Sequence, residues 1–399
     1  MNKGIEIARG KTKVLYENPG QPDQLVVAQS DQISSGDGAR RNVIAGKGRL
    51  AAQTTARVFR LLNLCGLPTH YLTGGEDDDN NEMVVRRANM IPLEVVSRGV
   101  AAGSFVKRNP GIARGTLLVP RVVEFFFKDD AAHDPMIAPD QIIARSIATP
   151  QEVGIMSELA HLTFDILSHA WRRRDVLLID LKIEFGRLAS GENQGQLVIA
   201  DVIDNDSWRL WPQGREELML DKQLYRNLET VDERALEMVK RAYERVAEYV
   251  GTFPVMRPGM VAVIADSPGR VERTNEIASA LGQFGLPAVR RVASPATTPG
   301  FVLQLIGQLE ASFARLVIVA VAENDLLSTM LEAASSAPVL DGRDETARVI
   351  VHCAKLFGLE DTVLYGRTLL MQANARTGVL HADASLQQPP PISQKSALG

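Results

Sequence analysis

The sequence has few cysteines, little excess charge and no long apolar run. Only two cysteines, Cys65 and Cys353, occur in 399 residues, so neither a disulfide framework nor a cysteine-based metal site is expected. A net charge of -4 and a pI near 6.0 offer no basic surface to nucleic acid or an anionic membrane. No apolar run approaches the length of a membrane span, and the first residues lack the apolar core of a signal peptide. These absences predict a soluble, cytoplasmic protein without nucleic-acid or membrane partners.

The length predicts two or three compact units, and the hydrophobic pattern changes near residue 250. The earlier part mixes hairpins and helices, with strands expected at 12–17, 24–29, 82–86, 92–97, 180–185 and 197–201 and a polar loop at 34–39. Helices are expected at 50–65, where an apolar stripe stops at Gly66, and at 231–250. A Gly- and Pro-containing linker is expected at 251–259. Beyond it, continuous apolar strands alternate with helices, which predicts a doubly wound α/β domain with a parallel sheet over 260–385. The polar, proline-rich residues 386–399 are expected to be disordered.

The most informative pattern is a pair of alternating strands. Asp180, Lys182 and Glu184 alternate with apolar residues and therefore share one face of a strand. A register symmetric about the polar loop 190–195 sets Glu184 opposite Asp201, where two carboxylates repel each other. A magnesium ion that also binds ATP phosphates removes this repulsion. A solvated hairpin face is the alternative, although the charged and tryptophan-rich run that follows is not typical of one.

Two glycine-containing loops add cations. Gly10-Lys-Thr-Lys13 opens a turn before a strand, so it differs from a Walker A loop; it predicts a lid over a triphosphate or, alternatively, an ordinary surface turn. The second loop, Ala102–Pro110, combines Ser104 with two cations, and Arg98 lies just upstream. Such a loop suits a sugar phosphate or a carboxylate, and a solvated basic loop is the alternative.

A further loop follows the apolar strand that ends at Phe127. It carries Lys128 and Asp129 at a position where loops often hold functional residues. His133, in the same loop, is interpreted as stabilising the loop. The other histidines have no catalytic spacing, since neither a nucleophilic serine elbow nor an HExxH motif accompanies them.

Taken together, these motifs resemble the SAICAR synthetase family from about Arg9 to about Leu228. They occur in order as Gly10–Tyr16, Ser34–Arg40, Pro92–Arg98, Ala101–Arg108, Phe127–Pro135, Asp180–Gly186 and Ala200–Trp211. The run Asp201–Pro212 is most similar to the bifunctional animal-type enzyme, in which this ligase is fused to AIR carboxylase.

The resemblance implies a fold and a reaction. The fold is an α+β, two-lobed SAICAR synthetase-like domain, related to kinases and ATP-grasp enzymes, over residues 1–250. Its small lobe covers about 1–90 and its large lobe about 91–250. The reaction joins L-aspartate to CAIR through an acyl phosphate, with Mg²⁺ as cofactor and ATP converted to ADP and phosphate.

The resemblance also implies residue roles. The ATP-binding residues are Gly10, Lys11, Thr12, Lys13, Lys128 and Asp129. The substrate-binding residues are Arg98, Ser104, Asp180, Lys182 and Arg209, with Ser35, Gly36, Asp37 and Arg40 from the loop 34–40. The catalytic residues are Asp180, Lys182, Arg209 and Lys128. The metal ligands are Glu184 and Asp201, and Asp204 and Asp206 in the same acidic run are the alternatives to Asp201.

The C-terminal third resembles AIR carboxylase in its order of strands and helices, but the loops after its strands depart from that family. Ala265–Arg270 replaces a Gly-Ser-x-Ser-Asp loop, Ala293–Thr297 replaces a Ser-Ala-His motif, and Ala322–Leu327 replaces a glycine-rich loop. We therefore expect a degenerate domain that has lost carboxylase activity and assembles the chain into a homo-oligomer. A working bifunctional enzyme and a non-catalytic scaffold are the alternatives.

Overall fold

A computed structural model of the chain describes residues 3–35, 39–76, 80–253 and 259–387. It forms two compact units. The N-terminal unit comprises Met1–Arg257 and Leu359–Gly366, and the C-terminal unit comprises Pro258–Gly358 and Arg367–Gly399. The domain limits expected from the sequence, which give one uninterrupted N-terminal domain, stay a prediction.

The strands of the N-terminal unit are β1 (Glu6–Arg9), β2 (Lys13–Glu17), β3 (Gln24–Gln29), β4 (Gln32–Ser35), β5 (Arg40–Val43), β6 (Tyr71–Thr73), β7 (Glu82–Arg86), β8 (Ala88–Val100), β9 (Leu117–Phe127), β10 (Met136–Ile137), β11 (Val176–Leu188), β12 (Leu197–Ala200) and β13 (Trp208–Pro212). Its helices are α1 (Lys47–Cys65), α2 (Gly103–Arg108), α3 (Pro139–Ala144), α4 (Pro150–Arg172), α5 (Gln223–Arg226) and α6 (Glu233–Gly251).

These strands build two antiparallel sheets and a separate hairpin. The first sheet has the order β1-β2-β3-β7-β6. The second has the order β10-β9-β8-β11-β12, and β13 also pairs with β11. The hairpin consists of β4 and β5. The long strands β8 and β11 therefore form the centre of the second sheet, where both edges of each strand are paired.

Strand β11 has the alternation that its sequence predicts. Leu181, Ile183 and Phe185 are all buried, and helix α4 packs against this strand. A capping box fixes the start of α4, because Thr149 and Glu152 bond each other's backbone N–H groups. The apolar face of β11 thus belongs to the core, and its charged face turns the other way.

Helix α1 was predicted from its apolar stripe and its glycine stop. Leu50, Val58, Leu62 and Cys65 are buried along the stripe. The helix ends at Gly66, whose φ of 92° lies in the left-handed region that an L side chain disfavours. Both predictions for this helix are confirmed.

Three expectations about irregular segments need correction or fall outside the described ranges. The polar segment 34–39 was expected to be a loop, but its ends are strands, because Ser34 and Ser35 pair with Arg41 and Arg40 in the β4–β5 ladder. Residues 36–38 lie outside the described residues, as do 254–258 of the expected linker and 388–399 of the expected tail. Gly251, expected in the linker, is instead the last residue of α6, and residues 386–387 of the expected tail belong to a helix.

The C-terminal unit contains a parallel sheet. Its strands are β14 (Met260–Ala265), β15 (Ala288–Val292), β16 (Leu316–Val321) and β17 (Val339–Asp341), and its helices are α7 (Val271–Phe284), α8 (Pro299–Ser312), α9 (Leu326–Ala334), α10 (Thr346–Gly358) and most of α11 (Thr362–Gln387). The strand order is β15-β14-β16-β17, and every pair is parallel. Strands β14 and β16 are apolar along their length and almost wholly buried, as strands covered on both faces must be.

Both cysteines are buried, and neither forms a disulfide. Burial raises the pKa of Cys353 to about 12, so this thiol stays protonated. Within the described ranges, no helix is both long enough and apolar enough to cross a membrane.

One buried histidine links the first sheet to the chain after β12. The His70 ring contacts Phe59 edge-to-face at 5.2 Å, and its Nε2 lies 3.1 Å from the carbonyl oxygen of Asp201. Burial, with the nearby charges of Lys13 and Arg86, lowers the pKa of His70 to about 3. The folded protein therefore keeps this ring neutral, with a proton on Nε2 that it donates to the carbonyl.

This burial predicts a pH-dependent contribution to stability. The unfolded chain has an ordinary histidine pKa of about 6.5, so lowering the pH protonates His70 in the unfolded state first and favours unfolding. We expect the stability advantage of the parent over His70→Gln to fall by about 1.4 kcal/mol between pH 7.5 and pH 5.5. Urea unfolding followed by tryptophan fluorescence measures it, with the exposed His352→Gln as control. A difference that is the same at both pH values would contradict a buried neutral ring.

Candidate active site

A cavity of about 530 Å³ lies on the charged face of the second sheet. Strands β8 and β11, helix α2 and the start of β13 contribute its walls. It is lined by Glu94, Val96, Arg98, Ser104, Arg108, Phe126, His133, Asp134, Met136, Asp180, Lys182, Asp206, Ser207, Trp208, Arg209 and Arg226. The five substrate-binding candidates outside the loop 34–40 are all among these residues, so the fold brings them together.

Asp180 lies at the centre of an ion-pair network that follows from strand register. On β11, Asp180 is paired with Arg98 of β8 on one side and with Arg209 of β13 on the other. Its Oδ2 accepts a hydrogen bond from Arg98 Nη1 at 2.9 Å and another from Arg209 Nη1. Opposite charges directly across a ladder attract each other, and here one carboxylate orients two guanidinium groups.

The network continues across β9. Arg98 Nε donates to Glu124 Oε2 at 2.6 Å, and Arg108 Nη2 donates to Glu124 Oε1, also at 2.6 Å. Arg98 is almost fully buried, with 3% of its surface exposed, so it needs these partners. Within this network three arginines share two carboxylates, and this part of the cavity wall suits an anionic ligand.

The loop before α2 approaches the Arg209 guanidinium very closely. A Cβ built on Gly103 would lie 2.5 Å from Arg209 Nη2, and the φ of Gly103 is +55°. Both the close approach and the left-handed conformation require glycine. Gly103 therefore lets the loop that carries Ser104 lie against Arg209.

A second group of charges pairs lysines with carboxylates. Lys128 Nζ lies 2.7 Å from Glu184 Oε2, while Lys182 contacts Glu94 and lies 3.9 Å from Glu184 Oε1. Lys13 contacts Asp201. These contacts join β2, the loop after β9, β11 and the residue after β12 into one cluster.

Burial and neighbouring charges set the protonation of this cluster. Burial raises the pKa of Glu184, but Lys182 and Lys128 outweigh burial, so the pKa is lowered overall and the group is ionised. Burial lowers the pKa of Lys182, but Glu94 and Glu184 outweigh it, and the net shift is upward. For Lys13 burial prevails and, with the repulsion of the other two lysines, lowers its pKa to about 8.

The predicted pairing of Glu184 with Asp201 is wrong by one residue. Glu184 lies opposite Ala200, which ends β12, and Asp201 follows it with a left-handed φ of 65°. The register is set at the hairpin, where the Leu188 N–H donates to the Gln196 carbonyl instead of facing Leu197, and the Ala189 N–H donates outside the hairpin, to the Arg87 carbonyl. Gly195, whose N–H donates to the Leu188 carbonyl, closes the turn in the left-handed conformation with a φ of 84°.

A tight turn connects β1 to β2 and leads to Lys13, a member of the charged cluster. Gly10 N–H donates to the Lys13 carbonyl at 2.8 Å, which closes the β1–β2 hairpin around Lys11 and Thr12. The Lys11 ammonium lies 3.0 Å from Asp130 in the loop after β9. The turn is therefore the glycine-opened connection between strands that the sequence predicts.

Other candidates have different surroundings. The Asp129 carboxylate accepts hydrogen bonds from the N–H groups of Ala131 and Ala132 and so fixes its own loop. The Arg40 guanidinium donates to the carbonyl of Leu228 at 2.8 Å, and Arg40 and Ser35 do not line the cavity described above. Gly36 and Asp37 lie outside the described residues.

A buried group of charges around Asp206 was not predicted from the sequence. Asp206 lines the cavity and accepts hydrogen bonds from Lys222 Nζ at 2.6 Å and Tyr243 Oη at 2.7 Å. Burial raises the pKa of Asp206, but Lys47 and Lys222 lower it to about 2, so the group is ionised. Asp206 stood out in the sequence within an acidic run. Lys47, Lys222 and Tyr243 gave no local signal, because only the folding of α1 and α6 brings them near Asp206.

Two carboxylates, those of Glu184 and Asp201, are available to a magnesium ion. In the part of the chain that the structure describes, no three His, Cys, Asp or Glu side chains converge as a metal cluster. Magnesium in nucleotide sites uses only one or two carboxylates and takes its other ligands from phosphates and water. The ionised Glu184, with Asp201 at the end of the neighbouring strand, fits that smaller set.

Comparison with known proteins identifies the family. The sequence model of the family described as SAICAR synthetase matches residues 6–242. A phosphoribosylaminoimidazole-succinocarboxamide synthase of Roseiflexus sp. is 50% identical over 248 residues, 62% of this chain and 97% of that protein. The bifunctional carboxylase/synthetase of Drosophila melanogaster is 36% identical over 345 residues, 85% of this chain and 79% of that protein.

A solved structure agrees with the sequence comparisons. A SAICAR synthetase in complex with ADP is 31% identical and superposes with a TM-score of 0.54 over 63% of this chain and 100% of its own. The fold of the N-terminal unit is therefore the SAICAR synthetase fold. Since the family match spans more than half of the chain and every motif of the sequence analysis up to Trp211, the chain belongs to the SAICAR synthetase family.

Proposed function

We propose that the chain catalyses the ATP-dependent ligation of L-aspartate to CAIR, which yields SAICAR, ADP and phosphate. One structural observation supports this proposal in addition to family membership. Arg98, Asp180, Lys182 and Arg209, separated by up to about a hundred residues in sequence, line a single cavity beside the ionised Glu184. A site with this excess of fixed cations suits three anionic substrates.

The chemistry needs activation of a carboxylate. The CAIR carboxylate resists attack by an amine because oxide is a poor leaving group. Transfer of the γ-phosphoryl group of ATP to a carboxylate oxygen forms an acyl phosphate and releases ADP. The amine of aspartate then attacks the acyl carbon, the C–O bond to phosphate breaks, and the amine loses a proton as the amide forms.

The protein's part is to position charged groups. We assign Lys13 and Lys128 to the ATP phosphates, with Gly10, Lys11 and Thr12 forming the turn above them. The ion pairs of these lysines with Asp201 and Glu184 hold their ammonium groups in place before the nucleotide binds. No covalent nucleophile is required, and catalysis by positioning and electrostatic stabilisation is typical of phosphoryl transfer.

The CAIR site is assigned to the arginine network. Arg98 and Arg209 are oriented by Asp180, and Ser104 lies at the same wall of the cavity. Their donors suit the phosphate and carboxylate of CAIR. Lys182, which β11 aligns between Asp180 and Glu184, is assigned to the reacting carboxylate, where developing negative charge needs a fixed cation.

Glu184 and Asp201 are assigned as the residues that would hold Mg²⁺ with ATP. The bound ion would neutralise phosphate charge during the transfer. What supports the assignment is the pair of carboxylates at the nucleotide lysines, together with the ionised state of Glu184. Ser35, Gly36, Asp37 and Arg40 stay predictions for the aspartate region, and Asp129 is assigned to shaping the nucleotide loop.

For the C-terminal unit we infer a doubly wound relative of AIR carboxylase that no longer carboxylates. The strand order β15-β14-β16-β17 supports the first part. At the carboxyl edge of this sheet, loop side chains bond one another: Arg343 pairs with Asp341 and Asp325, and Asp266 accepts the backbone N–H of Glu323. Homo-oligomer formation through this unit, cytoplasmic location and the lack of nucleic-acid partners stay predictions.

An assay of the purified protein tests the function. Mg-ATP, L-aspartate and CAIR are expected to give SAICAR and ADP in equal amounts. A parallel reaction with AIR and bicarbonate in place of CAIR is expected to give none above the spontaneous background. Product in both reactions would support a working bifunctional enzyme, and product in neither would support a non-catalytic scaffold.

Glu184→Gln tests the metal assignment. Loss of one carboxylate charge beside the nucleotide lysines is expected to lower kcat on the order of 10² to 10³-fold and to raise the Mg²⁺ concentration that half-saturates activity. Steady-state kinetics over a Mg²⁺ titration measures both. Glu192→Gln, in the exposed hairpin loop, is the matched control with unchanged kinetics. A Glu184→Gln enzyme with the parent's Mg²⁺ dependence would exclude Glu184 as a ligand.

Gly103→Ala tests the arginine network without removing a charge. The added methyl group would displace the Arg209 guanidinium. We expect KM for CAIR to rise about tenfold or more while KM for ATP changes little, because misplaced binding groups lose affinity for their own substrate. Gly111→Ala is the control, since nothing lies within 4 Å of a Cβ there. Equal increases in KM for both substrates would contradict a CAIR-specific role.

A further inference from the structure

A short segment from late in the sequence belongs to the N-terminal unit. Leu359–Gly366 packs with that unit, whereas the residues on both sides of it, up to Gly358 and from Arg367, belong to the C-terminal unit. Within the segment, Asp361, Thr362, Val363 and Leu364 are each at most 1% exposed. Four consecutive buried residues are typical of a core element, and surface connections rarely contain them.

Specific polar contacts hold the segment between the ends of α1 and α4. His169 Nδ1 lies 2.9 Å from Thr362 Oγ1, and the His169 ring stacks on Tyr365 with centroids 4.3 Å apart and an interplanar angle of 14°. Arg173 Nη1 donates to the Leu359 carbonyl at 3.0 Å. Because the contacts involve both backbone and side chains, they fix the register of the segment.

The segment also provides its own helix start. The Asp361 carboxylate accepts hydrogen bonds from the N–H groups of Val363 at 2.9 Å and Leu364 at 3.0 Å, so it caps α11. A buried aspartate that satisfies two buried N–H groups keeps the first turn of α11 helical while it lies in the core.

The closest packing is at Gly366. A Cβ added there would lie 2.5 Å from Cys65 Sγ, 2.9 Å from Cys65 Cβ and 3.1 Å from Ile166 Cδ1. Only glycine allows α11 to approach the end of α1 this closely. The close contact therefore requires a glycine in the segment and a small buried residue, here Cys65, at the end of α1.

We propose that the N-terminal unit has a docking groove, formed by the ends of α1 and α4, whose occupant is the segment Leu359–Gly366 of the same chain. The ligase unit is then discontinuous in sequence, and its stability depends on residues that follow the sheet of the C-terminal unit. Deletion of the chain after residue 258 would remove the occupant of the groove.

The intact chain offers a selective probe of this proposal. All three tryptophans, Trp171, Trp208 and Trp211, lie in the N-terminal unit, so tryptophan fluorescence follows its unfolding alone. Gly366→Ala is expected to lower the thermal midpoint of that signal by about 3 °C or more, because the methyl group overpacks the groove. Gly282→Ala, in α7 where a Cβ meets nothing within 4 Å, is the matched control and should leave the midpoint unchanged.

A double-mutant cycle tests whether the effect comes from the groove. Cys65→Ala removes the sulfur atom at 2.5 Å but keeps the Cβ at 2.9 Å, so the shift caused by Gly366→Ala should become smaller without disappearing in the Cys65→Ala background. Equal shifts in both backgrounds, or no shift of the tryptophan signal by Gly366→Ala, would overturn the proposal.

A milder variant covers the case in which Gly366→Ala does not fold. Thr362→Val keeps the shape but removes the hydroxyl that meets His169, and should lower the tryptophan midpoint by about 2 °C. An unchanged midpoint would contradict the proposal. None of these measurements depends on catalytic activity, so their outcome is separate from that of the ligase assay.

Discussion

The ion pairs of Asp180 are the interaction on which the rest of the site depends. This carboxylate lies on the central strand β11 and is almost fully buried, as is its partner Arg98. Removal of one member of such a buried pair leaves an unpaired charge and costs about 3–5 kcal/mol. The pairing therefore ties the register of β8, β11 and β13 to the placement of two guanidinium groups. Any change that moves one strand by a residue would also move the substrate cavity's arginines.

The charges around Glu184 have a related arrangement. Each of the three lysines contacts a carboxylate, so the cluster is balanced before any phosphate arrives. The Mg-nucleotide of the proposed function would bring both signs of charge, so it would exchange with these pairs without leaving a buried ion uncompensated. Burial disfavours the charged form of Lys13 and lowers its pKa to about 8. An anionic ligand beside the ammonium group would favour the charged form again.

The N-terminal unit is not one continuous stretch of the sequence, because it includes a segment that follows most of the C-terminal unit. The residues on both sides of 359–366 belong to the C-terminal unit, which contains the parallel sheet. The segment Leu359–Gly366 nevertheless joins the core of the N-terminal unit. Residues beyond position 358 are thus part of the fold of the N-terminal unit.

The sequence alone determined the features that depend on short-range pattern. The alternation of β11, the glycine stop of α1 and the motifs from Gly10 to Trp211 gave the family, and with it five residues that line one cavity. Tertiary structure decided what depends on one residue of register or on distant contacts. The hydrogen bonds of Leu188 at the hairpin set Ala200, and not Asp201, opposite Glu184, and the folding of α1 and α6 brought Lys47 and Tyr243 near Asp206. The segment after residue 358 had no local pattern that distinguished it from its neighbours. Its place in the core follows from the fit of Gly366 against Cys65, a contact between residues about three hundred positions apart that only the folded chain creates.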